Sequence, residues 1–308
     1  MKRLRFLVSL TNDTNDYQIE QAVAAQEAAR RLDVDVRILA ADDDGITQSQ
    51  QLLKVIQSST EPHPDAIILE PAGSTALPHV ARAAAAAGIG WVIMNREVDY
   101  IGELRRSYHV PVFALSANHE EIGRIQGRQF AALAPRGGNA LYIHGPNEHS
   151  AARQRTAGMM ETKPKALQVR MVKGHWSEAS AYKAVSAWLR LSTSRDTVID
   201  IIAAQDDSMA IGARKAFQEH MVGDERERWL RVPFTGCDGM PKTGQTWVRQ
   251  GLLAATVYVP PITSLAIEML VKTINQGVLA PERTMTEPRS VPELSALGSA
   301  QTRGASAT

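Results

Sequence analysis

The sequence predicts an α/β protein built as two doubly wound parallel-sheet lobes. Three observations carry that expectation. Short apolar, β-branched runs alternate with longer stretches of helical period, which is the pattern of βαβ units around a parallel sheet. The pattern completes four strands by residue 94 and starts again at residue 112. A chain of 308 residues also has room for two domains of roughly 150 residues, each able to bury its own core.

Taken in order, residues 4–10 read as the first strand and 16–32 as the first helix, where Ile19, Val23, Gln26 and Arg30 form a modest stripe filled out by alanines. Residues 35–40 are the second strand. Residues 46–57 are the second helix, with Leu52, Leu53, Val55 and Ile56 supplying its apolar face. A strand at 66–70, an alanine-rich helix at 76–87 and a strand at 90–94 complete the first run. The second run reads strand 112–115, helix 120–133, strand 139–144, helix 150–162, strand 168–173, helix 178–191 and strand 198–203. It continues with helix 208–219, strand 232–237, helix 242–250 and strand 254–259. Pro260-Pro261 breaks the chain before a last helix at 263–276. From residue 281 onward the chain is Pro-rich and is expected to be irregular, and the small, polar residues 296–308 are expected to be disordered.

Composition narrows the function. With 34 basic and 33 acidic residues, a formal net charge of +1 offers no field for nucleic acid or an anionic membrane. The single cysteine, Cys237, leaves no internal disulfide and no Cys-cluster metal site, and reads as a small buried hydrophobe. No segment reaches the roughly 18 apolar residues of a membrane span, so the chain is not expected to be membrane-embedded. Phe6-Leu7-Val8-Ser9-Leu10 runs at once into Thr11-Asn12-Asp13, so no secretory signal is legible. The protein is expected to be cytoplasmic if Met1 is the native start, and exported if a signal has been removed.

In open parallel sheets, ligands bind outside the carboxyl ends of the strands. The loop after the first strand contains no glycine, so the G-x-G-x-x-G turn of a dinucleotide site is missing there, and no G-x-x-x-x-G-K-[ST] sequence occurs. There is likewise no G-x-S-x-G elbow and no H-E-x-x-H. His119-Glu120 lacks the second histidine, and His119 reads as a surface residue starting a helix. No catalytic residue, cofactor or metal is therefore expected. The strand ends instead carry Asn15, Asn95, Arg96, Arg153, Asp206 and Asp238, a set of donors and acceptors suited to a neutral polyhydroxylated ligand. Tyr17 and Trp176 add rings against which the C–H face of a sugar packs. Asp206 is read equally well as the cap of the next helix, and Trp188 and Trp247, inside helices, as packing residues.

The order of motifs resembles the type I periplasmic sugar-binding proteins, the ribose-binding family, over about 280 residues. The resembling segments are Asp65-Ala-Ile-Ile-Leu-Glu-Pro-Ala-Gly-Ser-Thr-Ala-Leu77, Ala87-Gly-Ile-Gly-Trp-Val-Ile-Met-Asn-Arg96 and Ser150-Ala-Ala-Arg-Gln-Arg155. Ala204-Gln-Asp-Asp-Ser-Met-Ala-Ile-Gly-Ala213, Gly236-Cys-Asp-Gly-Met-Pro241 and Gly251-Leu-Leu-Ala-Ala-Thr-Val257 complete the set. The resemblance implies two lobes joined by a three-segment hinge, near residues 116–118, 259–261 and 288–291. One lobe comprises residues 1–116 plus 260–287 and the other 117–259 plus 288–295.

It further implies ligand contacts at Asn15, Tyr17, Asn95, Arg96, Arg153, Trp176, Asp206 and Asp238, with Glu70 and His119 at neighbouring positions. Several positions depart from the ribose-type pattern. Asn95 stands for a usual Asp, Asp206 for a usual Asn, Glu70 for an asparagine or similar, Gln18 for a second aromatic, and Val259 for a Gln. The implied function is non-catalytic binding of a monosaccharide or polyol in the cleft between the lobes, as receptor for an ABC permease. The alternative is a cytoplasmic ligand sensor or regulator; with the first strand at residue 4 there is no room for a helix-turn-helix, so no nucleic-acid partner is expected.

Overall fold

The computed structural model describes residues 3–73, 76–191 and 197–297. The expected disordered tail falls almost wholly outside these. The chain divides into two compact units, the first formed by Met1–Ala117 with Pro261–Thr286, the second by Asn118–Pro260 with the chain from Glu287 on.

In the first unit β1 (Arg5–Leu10), α1 (Asp16–Leu32), β2 (Asp35–Ala40), α2 (Gly45–Ile56) and β3 (Ala66–Leu69) lead to α3 (Pro78–Ala86), β4 (Gly90–Met94), α4 (Ile101–Ser107) and β5 (Val112–Ala117). The alternation of side chains along each strand sorts the core into two layers. Phe6, Val8, Ile68, Val92 and Phe113 point to one face, against Ala25 and Ala28 of α1. Leu7, Ile67, Trp91 and Ile93 point to the other, against α2, α3 and α4. The sheet is parallel in every pairing, with order β11-β5-β4-β3-β1-β2. Its connections reverse direction between β1 and β3, the switch point at which open α/β sheets leave a crevice.

The second unit repeats the plan with α5 (His119–Leu133), β6 (Gly138–His144), α6 (Ser150–Thr162), β7 (Leu167–Lys173), α7 (Glu178–Leu189), β8 (Ile201–Ala204), α8 (Asp207–His220), α9 (Gly223–Arg231) and β9 (Phe234–Thr235). Then follow α10 (Gly244–Arg249) and β10 (Thr256–Tyr258). Parallel order β7-β6-β8-β9 places its switch point between β6 and β8. The chain returns to the first unit for α11 (Thr263–Gln276) and β11 (Arg283–Thr286), and ends in the second with β12 (Arg289–Val291), antiparallel to β10.

Several expectations need correction. The chain after residue 281 is not irregular: β11 extends the first sheet beside β5, and Arg283 donates to Val98 O at 2.6 Å. An edge strand of mostly polar, alternately exposed residues carries no buried apolar run to mark it. Helices α4 and α9 are absent from the expected elements. The second is a charged helix whose one buried residue, Trp229, packs on Phe217 with ring centroids 4.6 Å apart. The buried face of α1 is Tyr17, Gln18, Gln21, Ala25 and Ala28, not the Ile19 stripe, and Ile19 is exposed. Gln21 fixes the start of α11, accepting from Ile262 N at 3.0 Å and Thr263 N at 2.9 Å, which explains a buried amide on an alanine-rich face. Trp188 packs edge-on against Phe217 and Trp229, and Trp247 packs on the same core, as expected of helix tryptophans.

Helices α5 and α6 lie against each other through glycine. A Cβ on Gly158 would overlap the carbonyl oxygen of Glu120, and one on Gly123 the carbonyl oxygen of Arg155. Both obstacles are backbone, which cannot rotate away. Gly158→Val is therefore expected to destabilise the second unit by about 3 kcal/mol, read as a lowered urea midpoint at unchanged m.

Candidate functional site

At the strand ends of the first unit a single amide organises three loops. Asn95 follows β4 with a left-handed backbone, φ 52°. Its Nδ2 donates to Glu70 Oε2 at 3.1 Å and to Tyr17 Oη at 3.3 Å, and its Oδ1 accepts from Ala117 N at 3.2 Å. The amide thereby ties the ends of β3, β4 and β5 to the first turn of α1. Asn15 caps that helix, accepting from Tyr17 N at 2.9 Å and Gln18 N at 3.4 Å. Gln18, in the place of a second aromatic, is buried and accepts from Thr11 N at 3.3 Å, so it closes the β1 loop. Arg96 is half-buried and donates from Nη1 to Asn95 O at 3.1 Å.

The two departures at Glu70 and Asn95 explain each other. A carboxylate at both positions would bring two negative charges into contact in a buried setting. With the carboxyl just after β3 and the amide just after β4, one donor serves both neighbours.

In the second unit the organising amide is Gln205, fully buried after β8. Its Oε1 accepts from Gly145 N at 2.9 Å, and the two hydrogens of its Nε2 are shared among Tyr142 Oη at 3.1 Å, Ala152 O at 2.9 Å and Thr156 Oγ1 at 2.9 Å. The next residue, Asp206, caps α8 by accepting from Met209 N at 2.5 Å. Asp207 is also buried and accepts from Thr256 Oγ1 at 2.6 Å and Gly239 N at 2.7 Å. Burial first, then the neighbouring Asp238 carboxylate, holds its carboxyl well above the ordinary range. Burial likewise pushes the Cys237 thiol up, as fits a buried hydrophobe.

Arg153 is not among these residues. Its side chain is exposed and donates to the carbonyls of Asn147 and Glu148 at 2.8 and 3.1 Å. Arg155 occupies the inner face instead: it is 6% exposed, donates to Gln205 O, lies 3.7 Å from Asp238 Oδ1 and sets its guanidinium 5.6 Å from the Trp176 ring centroid. The signal was available in the period of α6, whose buried face runs Ala151, Ala152, Arg155, Gly158 and Met159. A helix cannot turn residues two apart to the same side. His119, expected at the surface, is the buried first residue of α5.

Trp176 has a left-handed backbone, φ 58°, and its indole lies over Gly145, where any Cβ would strike it. Asp238, φ 94°, bridges to Tyr258 beside β10. Among the described residues no group of three His, Cys, Asp or Glu side chains could hold a metal ion, and no helix is long and apolar enough to cross a membrane.

Two doubly wound units, each with a polar cluster at its switch point, define a solute-binding class of protein. Residues 6–277 match the family described as periplasmic binding protein domain, and the chain belongs to that family. It is similar to the D-apiose import binding protein of Paraburkholderia graminis, 27% identical over 277 residues that cover 88% of this chain and 82% of that protein. A solved ABC transporter periplasmic solute binding protein from Actinobacillus succinogenes, with bound D-allose, superposes with a TM-score of 0.78 at 21% identity over 94% of this chain and 97% of that one. The Caulobacter myo-inositol binding protein superposes with a TM-score of 0.76 at 20% identity, over 94% and 93% of the two chains. At those identities the structures share the fold. The matched family is one of binding proteins, and this chain is a binding protein rather than an enzyme.

Asp207 gives a test of the buried network. Because its folded-state pKa is raised, the stability it contributes is complete below the unfolded value, near 3.9, and is lost as pH rises through the folded one. Wild-type stability should therefore fall with rising pH by up to ~1.4 kcal/mol per unit from this group. Asp207→Asn, which can accept from Gly239 N and donate to Thr256 Oγ1, should remove that slope in urea titrations at acid and neutral pH. Asp207→Ala should cost about 2–4 kcal/mol by stranding both partners.

Proposed function

We propose that the chain binds a monosaccharide or related polyol through these strand-end side chains, closes its two units on the solute, and delivers it to an ABC permease. The candidates are Asn15, Tyr17, Glu70, Asn95 and Arg96 in the first unit, and His119, Arg153, Trp176, Asp206 and Asp238 in the second, with Arg155 added beside Trp176 and Asp238. Guanidinium and amide donors, carboxyl acceptors and two rings match a ligand with hydroxyls around its rim and C–H groups on its faces.

One observation carries this reading. Among the described residues seven non-glycine positions have positive φ, and three of them, Asn95, Trp176 and Asp238, are strand-end candidates; of these only Trp176 is of a type that rarely adopts it. Such strain concentrates where side chains must be aimed at a ligand. The D-apiose, D-allose and myo-inositol named for similar proteins support the same solute class, and the word import in the first of these names supports delivery to a transporter.

Calorimetric titration against a panel of monosaccharides and cyclitols is expected to give one-site binding to at least one of them. Absence of binding across the panel overturns the proposal. For the solute found, Trp176→Ala should weaken binding about tenfold through lost ring packing. ATP hydrolysis by the reconstituted permease, rising with loaded protein only, tests the delivery step.

A further inference from the structure

We infer that His149 positions Trp176 for ligand binding by accepting the indole N–H on an unprotonated Nδ1, so that the ring is held in place only while His149 is neutral. The inference rests on the reading above that the solute packs against Trp176. The Trp176 Nε1 to His149 Nδ1 distance is 3.0 Å, and the two ring planes are 14° apart with centroids separated by 6.3 Å. That is an in-plane, edge-to-edge hydrogen bond rather than a face-to-face stack. An indole N–H can only donate, so Nδ1 must present its lone pair and the ring proton resides on Nε2. A second proton would set donor against donor and break the contact.

Two further observations favour positioning over incidental contact. His149 occupies the cap position of α6, yet its side chain makes no cap hydrogen bond to that helix. The ring is turned to Trp176 instead. Trp176 in turn needs restraint, because a left-handed backbone does not fix its side chain. Its indole has a floor at Gly145, a guanidinium from Arg155 against the ring and His149 at its edge. Of these three only the imidazole changes charge at moderate pH. The charged and titratable groups around the pair include Glu148, its ion-pair partner Lys173 at 3.8 Å, His175, Arg153 on the Asn147 and Glu148 carbonyls, and Arg155 with its partner Asp238. All belong to the second unit.

The test compares wild type with His149→Ala, His149→Asn and Trp176→Phe, using the tightest-binding sugar or cyclitol of the panel by calorimetry at about pH 8 and about pH 5. Wild-type affinity is expected to fall about tenfold towards the lower pH, the scale of one lost hydrogen bond. His149→Ala should bind about tenfold more weakly at the higher pH and show no further fall. The Asn Oδ1 lies where Nδ1 does and cannot be protonated, so His149→Asn should recover binding to within about threefold and remain flat. Trp176→Phe, without an N–H, should also be flat. Wild-type affinity in His149→Ala at the higher pH, or a wild-type pH profile in His149→Asn, overturns the assignment.

The indole 15N–1H resonance of Trp176, assigned by its loss in Trp176→Phe, separates this inference from the sugar reading. In ligand-free wild type it should move between the two pH values, and in His149→Ala it should not. A stationary wild-type resonance overturns the inference even if sugars bind. A moving one with no ligand found leaves the hydrogen bond standing while the sugar reading fails. In His149→Asn the same resonance shows whether Oδ1 took the indole N–H; if Asn caps α6 instead, affinity should match that of His149→Ala.

Discussion

A parallel sheet whose helices leave towards opposite faces opens a gap at its carboxyl edge, and every backbone and side-chain polar group lining that gap must find a partner. In both units one buried amide meets this constraint. Asn95 joins the ends of β3 and β5 to α1 in the first unit, and Gln205 joins β8 to the start of α6 and the loop after β6 in the second. An amide suits the task because it offers donors and acceptors together and carries no charge into a site of low dielectric. The rest of each cluster is positioned from it. Tyr17 and Glu70 meet at Asn95, while Arg155 and the β6–α6 loop meet at Gln205 and its carbonyl.

Charge is distributed around these amides so that like charges are kept apart or neutralised. Glu70 is matched with Asn95 rather than with a second carboxylate. In the second unit three acidic residues fall close together, and one of the two most buried, Asp207, is held towards its protonated form by burial and by Asp238. Arg155 then faces Asp238 as an ion pair with both side chains nearly buried. A buried pair of this kind adds little net stability, because desolvating both groups offsets their attraction. Its consequence is directional. Removing either member would leave a stranded charge, so the pair holds its geometry without adding much to the folding free energy.

How far the sequence revealed this depended on which physical signal each residue left. Both sheets were legible because most strands are buried on both faces and read as apolar runs, while the partly exposed edge strands β2 and β7 still carry Val36 and Ile38, and Val169 and Val172; β2, β4, α1, α6 and α11 have the bounds read from the sequence. Elements with one solvated side or a single anchor left little trace: β11 at a sheet edge, β12, and α9 hung on Trp229. The site was legible by position, since strand ends can be listed once strands are known, but not by direction. Arg153 and Arg155 stand two residues apart on one helix and face opposite ways, and only the burial period of α6 distinguishes them. Gln205 and Asp207 were overlooked for a related reason. A side chain that satisfies other buried groups resembles, in sequence, one that meets a ligand.

That distinction also indicates where ligand selectivity can reside. The backbone around Asp207 is packed too closely to vary: a Cβ on Gly236 or Gly244 would collide with its carboxyl, and one on Gly145 with the Trp176 indole. Changes at those positions would displace the floor of the second cluster before altering its chemistry. Trp176 stands on that floor, and a substitution there would change ring area, whereas Asp206 caps α8 and Arg155 bonds to Gln205 O and faces Asp238, so a change at either disturbs the floor as well. A family that binds many related solutes on one fold needs this division between a fixed polar floor and a few exchangeable side chains. The Glu70–Asn95 pair falls on the fixed side of it, since Asn95 ties the strand ends to α1.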